Sequence, residues 1–295
     1  MDVMAQDQLQ DRMKLPSFSP VIAAHFDKAA GSYINAATLQ QQVALDLAAL
    51  LPAAALLPVA APQQRQVLLD VGCGPGWYHP QLASHCHELW AVDLSPAMLA
   101  QAQKLGCASR YLQADVCQIP LPDSSVDLIF SSLMLQWCAT PQQAFNELCR
   151  LLKPGGMLLL STLVQGSMAE FRQSWAGVDD DAHQLELLAA TELLAQLQPL
   201  GVHVASEQKQ YQVFYPDVQA LARGFKQIGA NFVQGRQGQG LMGKQRWLAF
   251  ASNYEQFREE RGLPLSYQVL QLVVTKPAAA VTAPGLARVE QGVTD

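Results

Sequence analysis

Between residues 66 and 164 five short, nearly continuous apolar runs recur, most of them separated by stretches of helical period. They are "QVLLDVG" (66–72), "ELWAVDLS" (88–95), "SRYLQADV" (109–116), "VDLIFSSL" (126–133) and "GMLLLSTLV" (156–164). Strands that are apolar on both faces must be covered on both faces, and strands alternating with helices pair in parallel. The intervening helices are predicted over 75–86, 96–105 and 141–152, with Ser95 as N-cap and Pro96 at the first helical position of the second. The expectation is an α/β fold with a mostly parallel sheet and helices on both faces.

Around this frame the pattern differs. Residues 1–17 read as a loose tail. Val21–Leu51 reads as two helices broken near Gly31 or Asn35, and the Pro/Ala stretch 52–62 as a linker. After about 165 the rhythm weakens. A helix over 168–176, a solvated acidic turn "VDDDAH", a helix over 185–197 and strands near 202–214 and 267–275 are expected. The end, 277–295, reads as a disordered tail. The domain division is therefore a tail (1–17), helices and linker (18–62), a main domain (63–276) carrying a helical and β insertion at 165–262, and a tail (277–295).

Composition excludes several classes. Half of the 295 residues are apolar and 15% are charged, enough for a sizeable core. A net charge of −6 provides no broad field for a nucleic-acid backbone. The N-terminus is polar and no 18 continuous apolar residues occur, so a soluble cytoplasmic protein without membrane partners is expected. Six cysteines with no C-x-x-C pair read as reduced and mostly buried. His85 and His87 flank Cys86 without a further ligand near in sequence, and no metal is expected.

The chemistry concentrates in "LLDVGCGPGW" (68–77). Glycine lets the chain turn with positive φ and brings bare backbone amides against a ligand. A dinucleotide fingerprint needs G-x-G-x-x-G; here Gly72 and Gly74 fit, but Trp77 stands at the third place and the extra glycine is Gly76. Asp70 would repel a pyrophosphate and favour a cationic amino group, which S-adenosylmethionine carries. Asp93 ends the second run, where a carboxylate can accept both ribose hydroxyls. Asp115 ends the third, where a carboxylate can accept from the adenine amine while the Val116 amide donates to the ring.

The succession "VLLDVGCGPGW", "AVDLSPAML", "QADVCQIPLPDSSVDLIFSSLMLQW" and "ELCRLLKPGGMLLLST" resembles the class I S-adenosylmethionine-dependent methyltransferases over residues 66–163. The resemblance implies a Rossmann-like sheet with an N-terminal helical lid, and S-adenosyl-L-methionine as methyl donor, leaving S-adenosyl-L-homocysteine. It places the donor against Asp70, Gly72, Cys73, Gly74, Gly76, Asp93, Leu94, Asp115, Val116 and Ser131. The fourth run carries "SSLMLQW" where N-methyltransferases of nucleobases and glutamine often carry two prolines before an aromatic residue. This points to a small-molecule acceptor.

A narrower resemblance, to the malonyl-acyl-carrier-protein O-methyltransferases of biotin synthesis, runs from about 22 to 275. It rests on "FDKAAGSYINAATLQQQVALDLAALLP", "LMLQWC", "STLVQGSMAEFRQSWAGVDDDAHQ", "LARGFKQIGANFVQGR" and "LPLSYQVLQLV". It implies methylation of the free carboxylate of a malonyl thioester and an acyl carrier protein as partner, with 165–262 forming a substrate-side cap. Tyr33, Gln136 and Trp137 are the candidate catalytic residues. Ser167, Arg223, Lys226, Arg236 and Arg246 are the candidate contacts to substrate and carrier; residues 223–261 hold seven Lys/Arg against three acids. A C- or O-methyltransferase of a quinone or other small apolar acceptor is the alternative.

Overall fold

The computed structural model describes residues 19–51, 66–179, 183–228 and 243–278. Strands β1 (Val67–Val71), β2 (Glu88–Asp93), β3 (Arg110–Gln113), β4 (Val126–Ser132) and β5 (Leu152–Leu163) pair in parallel. With β6 (His203–Tyr215) and β7 (Leu263–Thr275) they form one sheet of seven strands, ordered β3-β2-β1-β4-β5-β7-β6. Strand β7 is antiparallel to both β5 and β6. Strand order reverses between β1 and β4, and in open sheets of this kind ligands sit outside the carboxyl ends at that point.

The helices are α1 (Ser19–Ala29), α2 (Tyr33–Ala36), α3 (Thr38–Ala48), α4 (His79–Ala83), α5 (Pro96–Leu105), α6 (Pro141–Leu151), α7 (Ala169–Trp175), α8 (Ala190–Leu197), α9 (Val218–Gln227) and α10 (Lys244–Tyr254). Every residue of β1 is buried, as its unbroken apolar run requires. Helix α6 buries Ala144, Phe145, Leu148 and Leu151, the stripe expected at helical spacing. Each such larger side chain contributes about 1.5–3 kcal/mol on burial. On the opposite face, Ala44 and Leu47 of α3 pack with Leu68, Leu128 and Leu159. The same helix sends Leu39 and Val43 into a second core with Trp175, Tyr211, Phe250 and Tyr254. One helix thus joins the N-terminal segment both to the sheet and to the elements after β5.

One N-terminal break falls at Gly31, between α1 ending at Ala29 and α2 beginning at Tyr33, but a second, at Ala37, divides the expected second helix into α2 and α3. Ser95 caps α5, its Oγ accepting from the Met98 amide at 3.1 Å. Asp27 of α1 reinforces that cap: its Oδ1 accepts from Ser95 Oγ and, at 3.1 Å, from the Ala97 amide.

Several boundaries differ from expectation, among them the start of β7 at Leu263 instead of 267 and the end of β3 at Gln113 instead of 116. The helix predicted over 75–86 is only His79–Ala83, because Gly72, Gly74 and Gly76 all take positive φ, which keeps the chain from a helical path through residue 76, and the helix starts after its N-cap Tyr78. The helix predicted from 185 begins at Ala190; the Leu188 carbonyl is occupied by the Gln165 amide at 2.9 Å, and Leu185 and Leu187 face a cavity. Strand β5 begins at Leu152 instead of 156, because its register slips past β4 between Val126 and Leu128 and so includes "KPGG". The readings for 1–17, 52–62 and 279–295 lie outside the described residues.

Candidate active site

Two cavities meet at the carboxyl end of the sheet. The larger, about 470 Å³, lies over the switch point and is lined by Gly72, Gly74, Asp93, Leu94, Asp115 and Val116, among others. The smaller, about 210 Å³, is walled mainly by Phe171, Trp175, Phe225, Trp247 and Phe250. Phe26, Tyr33, Leu133 and Trp137 line both, so they form the partition between a polar chamber and an aromatic one.

The polar chamber is built from loop geometry. Asp93 closes β2, and its two carboxylate oxygens accept from the Gly74 and Ser95 amides at 2.8 Å each. Burial raises its pKa to about 6, against the opposing effect of those hydrogen bonds. Asp115 Oδ1 accepts from the Cys117 amide at 2.9 Å, which fixes the turn after β3. At Gly72 a Cβ would overlap Met134 Cγ, and at Gly76 it would lie 2.6 Å from His79 Nδ1. Both glycines have φ near +70°, so side chains are barred there by torsion and by space.

The partition is held by its own contacts. Phe26 meets the Trp137 ring edge-on with centroids 5.3 Å apart and lies 6.4 Å from the Tyr33 ring. Burial, then the nearby Asp93 charge, pushes the Tyr33 phenol well above its usual range, so it stays a hydrogen-bond donor. Gln136 lines the aromatic chamber, but Nε2 donates to the Leu133 carbonyl at 2.6 Å and Oε1 accepts from Thr162 Oγ1 at 3.1 Å. Its amide is committed largely to the loop after β4. Ser32 Oγ, beside Tyr33, donates to the Gln227 carbonyl at 2.9 Å, tying the N-terminal helices to the end of α9.

Not every expected residue reaches a chamber. Asp70 is 5% exposed and is not on the wall; its Oδ2 lies 3.2 Å from Nε2 of the fully buried His79, in an approach too bent for a good hydrogen bond. Strand alternation explains this, since Val71 faces the chamber and its neighbour must leave from the other face. Ser131 is likewise turned away, its hydroxyl donating to the Val71 carbonyl at 2.9 Å, and Ser132 takes the wall position. Cys73 and Gly76 shape the loop from behind. Ser167 is 1% exposed; its Oγ accepts from the Gln268 amide at 2.8 Å and donates to the Val164 or Gln268 carbonyl. It is a latch between the end of β5 and β7 and cannot contact a substrate.

Among the expected docking residues, Arg223 and Lys226 are exposed on α9. Arg246, on α10, is 3.4 Å from Asp179. Arg236 lies outside the described residues. Asp179 itself departs from the solvated turn expected of it: its side chain is 8% exposed and bonds His183, whose ring stacks on Trp175 at 3.6 Å. Asp27 and Met134 were not legible as site residues, because each acts through a partner distant in sequence, Ser95 and Gly72 respectively. His183 has near neighbours, Asp179 and Trp175, but the fold of the turn that buries them together leaves no local pattern. Among the described residues no cluster of three or more His, Cys, Asp or Glu is arranged for a metal, and no helix is long and apolar enough to cross a membrane.

Comparison with known proteins adds the family. A model described as a methyltransferase domain matches residues 69–160. The malonyl-acyl-carrier-protein O-methyltransferase of Pectobacterium atrosepticum is 36% identical over 253 residues, covering 86% of this chain and 95% of that one. The biotin biosynthesis bifunctional protein BioHC of Cellvibrio japonicus is 37% identical over 258 residues, covering 87% of this chain; the chain spans half, 50%, of that longer protein. Among solved structures, the YcgJ protein of Bacillus subtilis superposes with a TM-score of 0.52 at 16% identity, covering 72% of this chain and 93% of that one, a likeness of fold.

Proposed function

The chain belongs to the malonyl-acyl-carrier-protein O-methyltransferase family, and from that membership we propose that it methylates the free carboxylate of a malonyl thioester held on an acyl carrier protein. The methyl donor is S-adenosyl-L-methionine, and the ester product would enter the synthesis of the pimeloyl part of biotin. The observation that carries the reading is the shared partition of Phe26, Tyr33, Leu133 and Trp137 between a chamber walled by Asp93 and Asp115 and an aromatic chamber for the acceptor.

The residues present fit the donor. Gly72 and Gly74 line the chamber with bare backbone at positive φ, and at Gly74 no protein atom beyond its chain neighbours lies within 4 Å of where a Cβ would stand, so the loop offers a surface for close backbone approach. Asp93 would hold the ribose hydroxyls, Asp115 and the Val116 amide the adenine, and Gly72 and Gly74 the methionine portion. When bound, the donor supplies a sulfonium-activated methyl group, which the malonyl carboxylate, ionised at pH 7, takes without a general base. No metal is required in this scheme.

What the protein contributes is then position and dryness. Trp137, buttressed by Phe26, walls the methyl-transfer point and excludes water. Tyr33 keeps its proton and donates a neutral hydrogen bond to an acceptor oxygen, a softer contact than a bidentate arginine. A strong ion pair would stabilise the charged ground state more than the less charged transition state. In this scheme the described residues 19–51 act as a lid, and the described parts of 165–262 as the substrate-side cap. Arg223 and Lys226, exposed on α9, offer positive charge to an acidic carrier.

The test is mass spectrometry of malonyl-carrier protein after incubation with the enzyme and S-adenosylmethionine. Gain of one methyl group, removable by ester hydrolysis, is the expected result. No gain, with S-adenosylhomocysteine binding intact, would move the acceptor to a quinone or another small apolar molecule.

A further inference from the structure

Two thiols face each other at the rim of the polar chamber. Cys117 follows Asp115 and Val116 after β3, Cys138 follows Trp137 after β4, and their sulfurs lie 3.5 Å apart. Both line the chamber and both are partly exposed, whereas Cys73 and Cys149 are buried. Cys117 Sγ also lies 3.5 Å from Thr140 Oγ1. Hydrogen bonding with Cys138, then with Thr140, lowers the Cys117 pKa, outweighing burial and the nearby Asp115 charge. The same contact with Cys117, then burial, raises the Cys138 pKa. Two facing thiols on an accessible wall, 3.5 Å apart, have the geometry of a dithiol, and Cys117, with two neighbours able to hydrogen-bond its sulfur, is the one placed to attack first.

We propose that Cys117 and Cys138 form a modification site, a dithiol that a hydroperoxide converts to an intramolecular disulfide and that thereby deforms the donor chamber. In the first step, with hydrogen peroxide as the hydroperoxide, the Cys117 sulfur attacks one peroxide oxygen; the O–O bond breaks, and the departing hydroxide takes the Cys117 proton and leaves as water. In the second the Cys138 sulfur attacks the resulting sulfenic sulfur; the S–S bond forms, the S–O bond breaks, and the hydroxyl leaves with the Cys138 proton as a second water. The two thiols lose two electrons and two protons, and the peroxide is reduced to water.

A disulfide needs its sulfurs about 2.0 Å apart, so the two sulfurs must close by roughly 1.5 Å, through rotation of both side chains and a shift of the two rims that carry them. Those rims are the turn after β3, carrying Asp115 and Val116, and the turn after β4, carrying Trp137. The deformation therefore falls on the adenine side and on the partition together. This effect on the donor rests on the function proposed above; the dithiol itself rests on the sulfur geometry alone.

The experiment treats the full chain with hydrogen peroxide, alkylates the remaining thiols, and maps the peptides by mass spectrometry. S-adenosylhomocysteine binding is measured by calorimetry before oxidation, after it, and after dithiothreitol. Expected are a Cys117–Cys138 linked peptide pair two hydrogens lighter, and an affinity that falls by about tenfold or more and returns on reduction. In Cys138→Ser, the same treatment should leave a Cys117 sulfenic acid that dimedone traps. Alkylation of both thiols after peroxide, or linkage of either to another cysteine, overturns the site. A linked pair with unchanged affinity overturns the deformation. A linked pair in a protein that binds no S-adenosylhomocysteine even when reduced supports the dithiol and overturns the donor reading instead.

Discussion

Asp93 Oδ2 accepts a hydrogen bond from the Gly74 amide at 2.8 Å, which ties the glycine loop after β1 to the end of β2. The same carboxylate bonds the Ser95 amide, and Ser95 is in turn held by Asp27 from the N-terminal helices. One side chain therefore couples the loop, the second strand and the first helix of the chain.

Replacing Asp93 by Asn removes the charged acceptor while keeping the shape. Affinity for S-adenosylhomocysteine should fall by about tenfold to a hundredfold, as loss of charge-assisted hydrogen bonds does. Isothermal calorimetry measures it. Affinity unchanged within error would remove Asp93 from the donor site.

The raised pKa of Asp93, about 6, gives the site a pH dependence of known sign. A ligand whose hydroxyls donate to Asp93 prefers the ionised form. Affinity for S-adenosylhomocysteine should therefore be constant above pH 6 and drop by about tenfold per pH unit below it. The effect on stability of the unliganded protein runs the other way. A carboxyl whose folded pKa lies above its unfolded value of 3.8 contributes most below that value, and the contribution is lost as pH rises through about 6. Asp93→Asn should flatten both profiles, as followed by calorimetry and by thermal melts across pH 4–7.

Tyr33→Phe should lower turnover by about a hundredfold or more, the cost of removing one well-placed donor, with donor affinity little changed. Because its phenol is held well above the usual range, no loss of activity up to pH 9 should trace to Tyr33. Unchanged turnover in the Phe variant would sink its catalytic role.

Gly76→Ala tests the loop. The added Cβ would meet His79 Nδ1 at 2.6 Å and Ala102 Cβ at 2.9 Å, in a left-handed backbone. Destabilisation of roughly 2–4 kcal/mol is expected from strain and overpacking combined, read from urea melts. Ser167→Ala is the contrasting case. Loss of its bonds to the Gln268 backbone should cost about 1–3 kcal/mol without changing KM for the carrier substrate.

Charge reversal of Arg223 and Lys226, both exposed on α9, should raise KM for malonyl-carrier protein by about threefold to tenfold at low salt, and the difference should shrink as salt rises. An effect independent of salt would count against carrier docking on this helix.

The five parallel strands were legible because each is a local apolar run, and the Ser95–Pro96 cap because capping depends on residues within one turn. Asp93 and Asp115 could be placed at a crevice because a residue at the end of a parallel strand must lie at the sheet's carboxyl edge. Position along a strand does not say which face a side chain leaves from. Asp70 and Ser131, read as donor contacts, therefore turned inward to His79 and Val71, and Ser167 became a latch under Gln268.

The sequence by itself determined the parallel frame, the glycine loop and the carboxylates at the strand ends, all of which follow from periodicity and local backbone rules. Only the tertiary structure decided what lies between the chambers. Phe26, Tyr33 and Trp137 come from segments about a hundred residues apart, and Cys117 and Cys138 from two separate turns; only the packing of α1 and α2 over the carboxyl edge of the sheet brings the first group together. Such contacts leave no local periodicity to read, since each is set by where distant elements bury their apolar faces.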